Sequence, residues 1–445
     1  MRSEPQLTPA EPVTPLTLGR FDSAGAVAGE AQTKERIPRS ILVLIAGLTV
    51  FYILFGYLVH AAQPDWLFSL DPDGLARIGR NLCFGHGFAI TRGTPTVFRG
   101  PAYPGALAFP CWITGVDPAQ LLPLVNGLCQ FITLLVLARH PLGRLGKARV
   151  AALLAVGLDP LLLNYSGRAY LEPMLILAVA LVIAGIDRLV KKPTPTSMAV
   201  LGLTWGFSLL VKPVLIYLVV AMVPVLLLVS RRTAALAVGS FAIALLVISP
   251  WTARNFALTG RMIPVSTGGW LVMLKGDTFA RFVTQSEGVE ELEDKAKADL
   301  DTIDHQRGIV NLPDYEREVY YQQEVMQRIR KEPRHLPTKV AIQSIDFWIL
   351  GGDRHKTLVF ALLQVPALLL FALAAREWQR SNPRALLGAG IVGVYLMGVY
   401  ALSLAIARYS MPLRPWIVLA AVSFVTARIG ARRTGVTLTR PNEAS

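Results

Sequence analysis

Long apolar runs, broken by short and often basic connectors, cover most of this chain. They fall at about residues 41–62, 118–138, 150–165, 171–187, 196–212, 214–230, 233–252, 357–375, 385–406 and 410–427. Most hold the roughly 17–22 residues a helix needs to cross a hydrocarbon core of ~30 Å. The pattern predicts an all-α polytopic membrane protein with about ten transmembrane helices. A further apolar stretch, Tyr103–Val116, is too short to span and reads as a re-entrant or interfacial helix.

The connectors orient the spans. Basic clusters lie at Lys34–Arg39, Arg139–Arg149, Arg188–Lys192, Arg231–Arg232, Arg376–Arg384 and Arg428–Arg433. Such clusters stay on the cytoplasmic side, so an even number of crossings must separate each pair, and ten spans satisfy that count. The division that follows is a cytoplasmic tail (1–36), an N-terminal transmembrane module (37–253) containing a first outer loop (63–117), an extracytoplasmic loop domain (254–356), C-terminal transmembrane helices (357–428) and a second tail (429–445). Both termini are then cytoplasmic, in a cell-membrane protein. Residues 1–36 are polar and rich in Pro, Thr and Glu, without signal-peptide order, and read as disordered, with the first span an uncleaved anchor.

Composition agrees with a bilayer. The chain is 53% hydrophobic and 17% charged, with a mean hydropathy of +0.46. Its net charge of +14 follows from Lys and Arg kept in inner loops. No basic stripe with interleaved aromatics accompanies it, so nucleic acid is not expected as a partner. Neither an internal repeat nor paired Gly/Pro-broken helices in corresponding halves is present, which argues against an inverted-repeat transporter. Cys83, Cys111 and Cys129 lack metal-ligand spacing. They are either three unpaired small residues or a Cys83–Cys111 disulfide with one left over. His305, His335 and His355 show no zinc spacing.

With this topology the polar residues that interrupt apolar sequence gather on the outer side. Asp71-Pro72 suits a helix start, with Asp as cap and Pro in the first turn. Leu75, Ile78 and Leu82 then share one face, with Arg77, Arg80 and Asn81 opposite. Such a helix would lie in the interface. Glu172 begins a span, where a carboxylate is either a solvated helix-start acid or a functional group. Arg254 ends another span and is either a snorkelling arginine or a phosphate ligand. Lys212 and Arg408 interrupt apolar sequence in the same way.

Four linked elements of the first loop resemble the GT-C membrane glycosyltransferases, nearest the dolichyl-phosphate-mannose protein mannosyltransferases and the aminoarabinose–lipid A transferases. They are Asp71, Gly79-Arg80-Asn81-Leu82, Gly85-His86-Gly87 and Arg99-Gly100-Pro101-Ala102-Tyr103-Pro104. Glu172, the Pro250-Trp251…Arg254-Asn255 segment, the Lys212-Pro213 pair and Arg408-Tyr409…Pro412 extend the likeness to most of residues 66–415. Leu75 replaces the family's aromatic, and Gly100 one of its paired prolines.

The resemblance implies transfer of a sugar from a polyprenyl-phosphate carrier to a lipid, glycan or protein acceptor on the outer face, with inversion. It implies Asp71 as base, Asp73 as its substitute and Glu172 as the acid that orients the acceptor or assists Asp71. Arg254, Arg408 and Lys212 would hold the carrier phosphate, with Arg99, Tyr103 and Tyr409 as further substrate contacts. The sequence requires no cofactor, although Asp71, Asp73 and Glu172 offer oxygens to a divalent cation. The competing readings are a lipid-linked glycan ligase or polymerase, a lipid-carrier flippase or transporter, and a non-catalytic scaffold.

Overall fold

The structure is a computed structural model that describes residues 37–62, 71, 73–140, 147–381 and 386–434. Both expected tails and Pro72 lie outside these, except for residues 429–434, which belong to a helix. The described residues from Arg39 onward form one compact unit. It is a helical membrane protein whose described residues include one small hairpin, Ala89–Thr91 against Thr94–Pro95.

Six of the ten expected spans are helices long and apolar enough to cross a membrane. They are Arg39–Ala61, Pro118–Arg139, Glu172–Lys191, Arg231–Thr259, Arg354–Glu377 and Ala407–Ile429. The other four are shorter, for readable reasons. At 150–165 the helix Lys147–Gly157 stops, and Asp159-Pro160 starts a new turn, Pro160–Leu163, with the Asp159 carboxylate accepting from the Leu161 N–H at 2.9 Å. At 214–230, Pro213 imposes a 3-10 turn before Leu218–Val229. Pro195–Val211 and Leu387–Leu402 are apolar helices of 17 and 16 residues.

Glu172–Lys191 is the central helix: 83% of its apolar window is buried, against 11% for Arg354–Glu377. The acid that opens it is therefore enclosed by protein. The first loop folds onto this bundle as two helices, Leu75–Cys83 and Ala102–Thr114. Gly79 lets them approach closely, a Cβ there meeting Leu107 at 3.1 Å, and a Cys83–Cys111 disulfide ties them together. Phe109, Trp112 and Ile113 remain exposed on the second helix, giving it the apolar outer surface expected of an interfacial element. Asn81 departs from the expected polar face. It is buried and donates to the carbonyl of Ala89 at 2.7 Å.

Residues 254–356 supply four further helices, Gly269–Phe282, Val289–Arg307, Asp314–Lys331 and His335–Ile349. The stretch expected to be purely solvated, Glu287–Asp304, buries Leu292, Ala296, Ile303 and Asp304, while Glu290, Asp294, Lys297 and Asp301 are exposed. Phe279, Leu292, Ala296 and Leu350 share an apolar cluster with Leu404. These helices thus rest on the segment that leads into Arg408.

Candidate active site

Asp71 and Asp73, two residues apart, point into different surroundings. The Asp71 carboxylate is fully buried and accepts from the backbone N–H groups of Ala76 at 3.2 Å and Arg77 at 3.1 Å. It therefore does cap the first-loop helix, though that helix starts at Leu75, later than Asp-Pro alone suggests. Burial pushes its carboxyl up to about 6, against the pull of those N–H bonds.

Asp73 lies between two guanidinium groups. Arg99 donates from Nη2 to its Oδ1 at 2.9 Å and from Nε to its main-chain oxygen at 3.0 Å. Arg408 donates to Oδ2 at 3.3 Å. Burial works to raise the Asp73 carboxyl, but Arg408, Arg99 and Lys212 outweigh it and hold it below the usual carboxylate range.

Arg408 joins the early and middle parts of the chain. Its Nε lies 2.8 Å from Oε1 of Glu172. Glu172 is 1% exposed, and its Oε2 has no hydrogen-bond partner. The guanidinium also sits over Tyr170 at 4.9 Å and Tyr409 at 5.5 Å. Lys212 completes the group. Extended backbone between the Pro195–Val211 helix and the Pro213 turn sets its ammonium over the rings of Tyr409 at 4.2 Å and Tyr400 at 5.1 Å. Among the described residues it forms no hydrogen bond or ion pair; the faces of the two rings hold it, with the charges of Glu172 and Asp73 nearby.

Asp73, Arg99, Glu172, Lys212, Arg408 and Tyr409 thus come together, while three other expected residues act at a distance. Arg254 does not reach this cluster. It donates to the carbonyl of Thr96 at 2.9 Å and packs over Trp251 at 4.5 Å, clamping the hairpin to the Arg231–Thr259 helix, which runs past residue 254. Tyr103 is buried and donates to Asn126 Oδ1 at 2.9 Å. Asn126 in turn donates to the carbonyls of Tyr165, Ser166 and Arg168, each at 3.1 Å, which fixes the turn before Glu172. Asp71 faces backbone N–H groups, as described above. Among the described residues no three His, Cys, Asp or Glu side chains gather as a metal-binding group. The three acids therefore do not form the cation site their oxygens allow on paper.

Sequence reasoning missed Gly100, Asn126 and Tyr400. A Cβ on Gly100 would press on the carbonyls of Leu210 and Val211, so this glycine lets Arg99 and Lys212 approach each other. Its signal was the departure from a proline pair. Gly85 and Gly87 carry positive φ of 77° and 76°, so the Gly-His-Gly element is the turn that leads from helix to hairpin.

Neither a known protein-family profile nor a curated protein matches the sequence. Two solved structures are similar in fold. One is the archaeal oligosaccharyltransferase AglB from Archaeoglobus fulgidus, in complex with an inhibitory peptide and a dolichol-phosphate, at 12% identity and a TM-score of 0.50 over 90% of this chain. The other is the arabinosyltransferase EmbB from Mycobacterium smegmatis, at 16% identity and a TM-score of 0.33 over 86% of it. The chain spans about half the length of these proteins, 52% and 42% respectively. Only the first likeness bears on architecture, and it shows that this chain shares the fold of about half of that oligosaccharyltransferase.

Proposed function

We propose that this protein is a membrane glycosyltransferase that moves a single sugar from a polyprenyl-phosphate carrier to a hydroxyl acceptor on the extracytoplasmic face, with inversion. One observation carries the reading. Lys212 has no hydrogen-bonded or ion-paired carboxylate among the described residues, and in the same cluster Arg408 and Arg99 are held by Asp73 and Glu172. Such a cluster is prepared for a lipid phosphate. The fold shared with the oligosaccharyltransferase supports it. The Cys83–Cys111 disulfide supports the outer placement, since such bonds persist in oxidising compartments.

In the reaction the acceptor oxygen forms a bond to the anomeric carbon and loses its proton to Asp71. The bond from that carbon to the phosphate oxygen breaks, and its electron pair stays with the phosphate. Lys212, Arg408 and Arg99 take up the growing negative charge. A phosphate leaves without protonation, so a base is the only proton carrier required. Asp71 suits that role better than Asp73, because its proton affinity lies nearer neutral pH. Asp71 is closed to solvent, so its use requires the turn at Asp71–Gly74 to open. Asp73 and Glu172 orient the guanidinium groups, while Arg254 and Tyr103 keep the first loop in place.

The test uses purified protein in vesicles with a radiolabelled polyprenyl-phosphate monosaccharide and an extract of envelope acceptors. Wild type should transfer label, and Asp71→Asn should fold normally and lose about 10²- to 10⁴-fold in rate. Full activity in that variant removes the base assignment. Transfer only from an oligosaccharide on a diphosphate carrier would make the protein a ligase instead.

A further inference from the structure

A cavity of about 290 Å³ lies between Phe98 of the first loop and the outer helices Gly269–Phe282, Val289–Arg307 and Asp314–Lys331. Its inner edge adjoins the charge cluster. Phe98 carries Arg99 over its ring at 4.6 Å, and Arg99 holds Asp73. The Thr267 N–H donates to the carbonyl of Val97 at 3.0 Å, which pins this part of the loop to the outer helices. Lys275 and Glu293, an ion pair on the adjoining wall, belong to the same lining. A molecule filling the cavity therefore ends one residue away from Arg99.

The lining has a definite chemistry. Six carboxylates face three cations, in a chain whose overall balance is strongly basic. Most of these charges are already engaged: Glu318 accepts from the Trp270 N–H at 2.9 Å, and Asp304 is held by Arg317 and Tyr321. Asp294, Lys297 and Asp301 are not. They stand on one face of the Val289–Arg307 helix, line the cavity, and form no hydrogen bond or ion pair among the described residues. Alternating free acceptors and a donor beside an aromatic face suit a hydroxyl-rich ring, whose O–H groups donate to carboxylates while its C–H face packs on Phe98. An excess of carboxylates disfavours a phosphate or any other anion. The volume lies at the lower end of small-molecule sites and admits about one or two sugar rings.

Resting on the transferase reading above, we propose that this cavity is the acceptor subsite and that the acceptor is the non-phosphorylated end of a glycan, neutral or amine-bearing. The donor phosphate then meets Lys212 and Arg408 from the membrane side, while the glycan end enters from the aqueous side past Phe98.

The experiment uses the full-length protein in detergent with chitotriose, maltotriose, mannotriose and a glucosamine trimer as probes, followed by saturation-transfer NMR. At least one trimer should bind, and Asp294→Ala/Asp301→Ala should weaken it about tenfold or more while leaving the affinity for polyprenyl phosphate unchanged. Both changes lie on an exposed helix face, and an unaltered melting temperature confirms folding. If no trimer binds, if the double variant binds as well as wild type, or if a peptide or an anionic phospholipid competes for the same signals, the proposal is overturned. Saccharide binding that the variant abolishes, without any transfer from a polyprenyl-phosphate donor, would leave the glycan site standing and remove the transferase reading. Transfer with an unchanged acceptor KM in the variant would do the reverse.

Discussion

Among the polar networks that penetrate this bundle, two are built on opposite rules. In the first, Asp159 caps the turn Pro160–Leu163 and receives Arg414 Nε at 2.9 Å. Arg414 donates onward to the Leu363 carbonyl and to Gln364 Oε1, and Gln364 donates to Ser410 Oγ at 2.7 Å. No buried polar side-chain atom of these four residues lacks a partner. The second, around Arg408, leaves Glu172 Oε2 without a hydrogen bond and Lys212 without a hydrogen-bonded or ion-paired carboxylate among the described residues. A network that only holds helices together closes its valences, because each open one costs about 1–3 kcal/mol. One that leaves them open keeps polar groups free for a further contact.

The sharpest way to break this contrast is to remove each arginine. Arg414→Gln should destabilise by about 3–5 kcal/mol, as expected when a buried pair loses one member, seen as a large fall in melting temperature. Arg408→Gln should melt closer to wild type yet lose about 100-fold in donor affinity. An equal fall in melting temperature for both would erase the distinction between closed and open networks.

A second prediction concerns pH. With the Asp71 carboxyl at about 6, transfer should fall about tenfold per unit below that pH, and this limb should vanish in Asp71→Asn. The linked effect on folding has the opposite sense to that of a salt-bridged acid. Folding raises the proton affinity of Asp71, so its contribution to stability is greatest below the unfolded value near 4 and declines as pH climbs through about 6. Asp73, held low by its arginines, should instead lose its contribution as pH falls. An activity profile flat from pH 5 to 8 would exclude Asp71 as the titrating base.

Smaller effects test the shape of the cluster. Lys212→Met should weaken donor binding about tenfold while leaving the melting temperature unchanged or slightly raised, since an unpaired, half-buried cation is replaced by an apolar chain. A marked loss of stability would mean that Lys212 belongs to the closed kind of network. Gly100→Ala should raise the donor KM several-fold by forcing the first loop away from the Leu210 and Val211 carbonyls. Equal kinetics for alanine and glycine there would show that this contact does not position Arg99 and Lys212.

Much of this site was legible in the chain. Charged residues inside apolar sequence are costly, which made Glu172, Lys212 and Arg408 conspicuous, and basic-cluster parity put them on one side. The helices at 75–83 and 102–114 also followed from apolar spacing. Spacing did not distinguish Asp71 from Asp73, because the direction of each depends on the Asp71–Gly74 turn, and neighbouring carboxylates look alike until their partners are known. Arg254 was ambiguous for a related reason: a guanidinium at a span end bonds equally well to a phosphate or to the carbonyls of a passing hairpin. The break at Asp159-Pro160 had a readable cap signal that hydropathy alone passed over.

The close approach at Gly276 has a practical consequence. A side chain at that position would collide with the carbonyl of Ser403, and Gln343 holds both Gly276 and the Ala405 N–H, so the helices of residues 269–349 are seated directly on the stretch of chain that delivers Arg408. These helices are therefore no detachable cap. A chimera that borrows residues 254–356 from a distant homologue would need residues 403–407 from the same donor, or it would assemble with its principal guanidinium out of register.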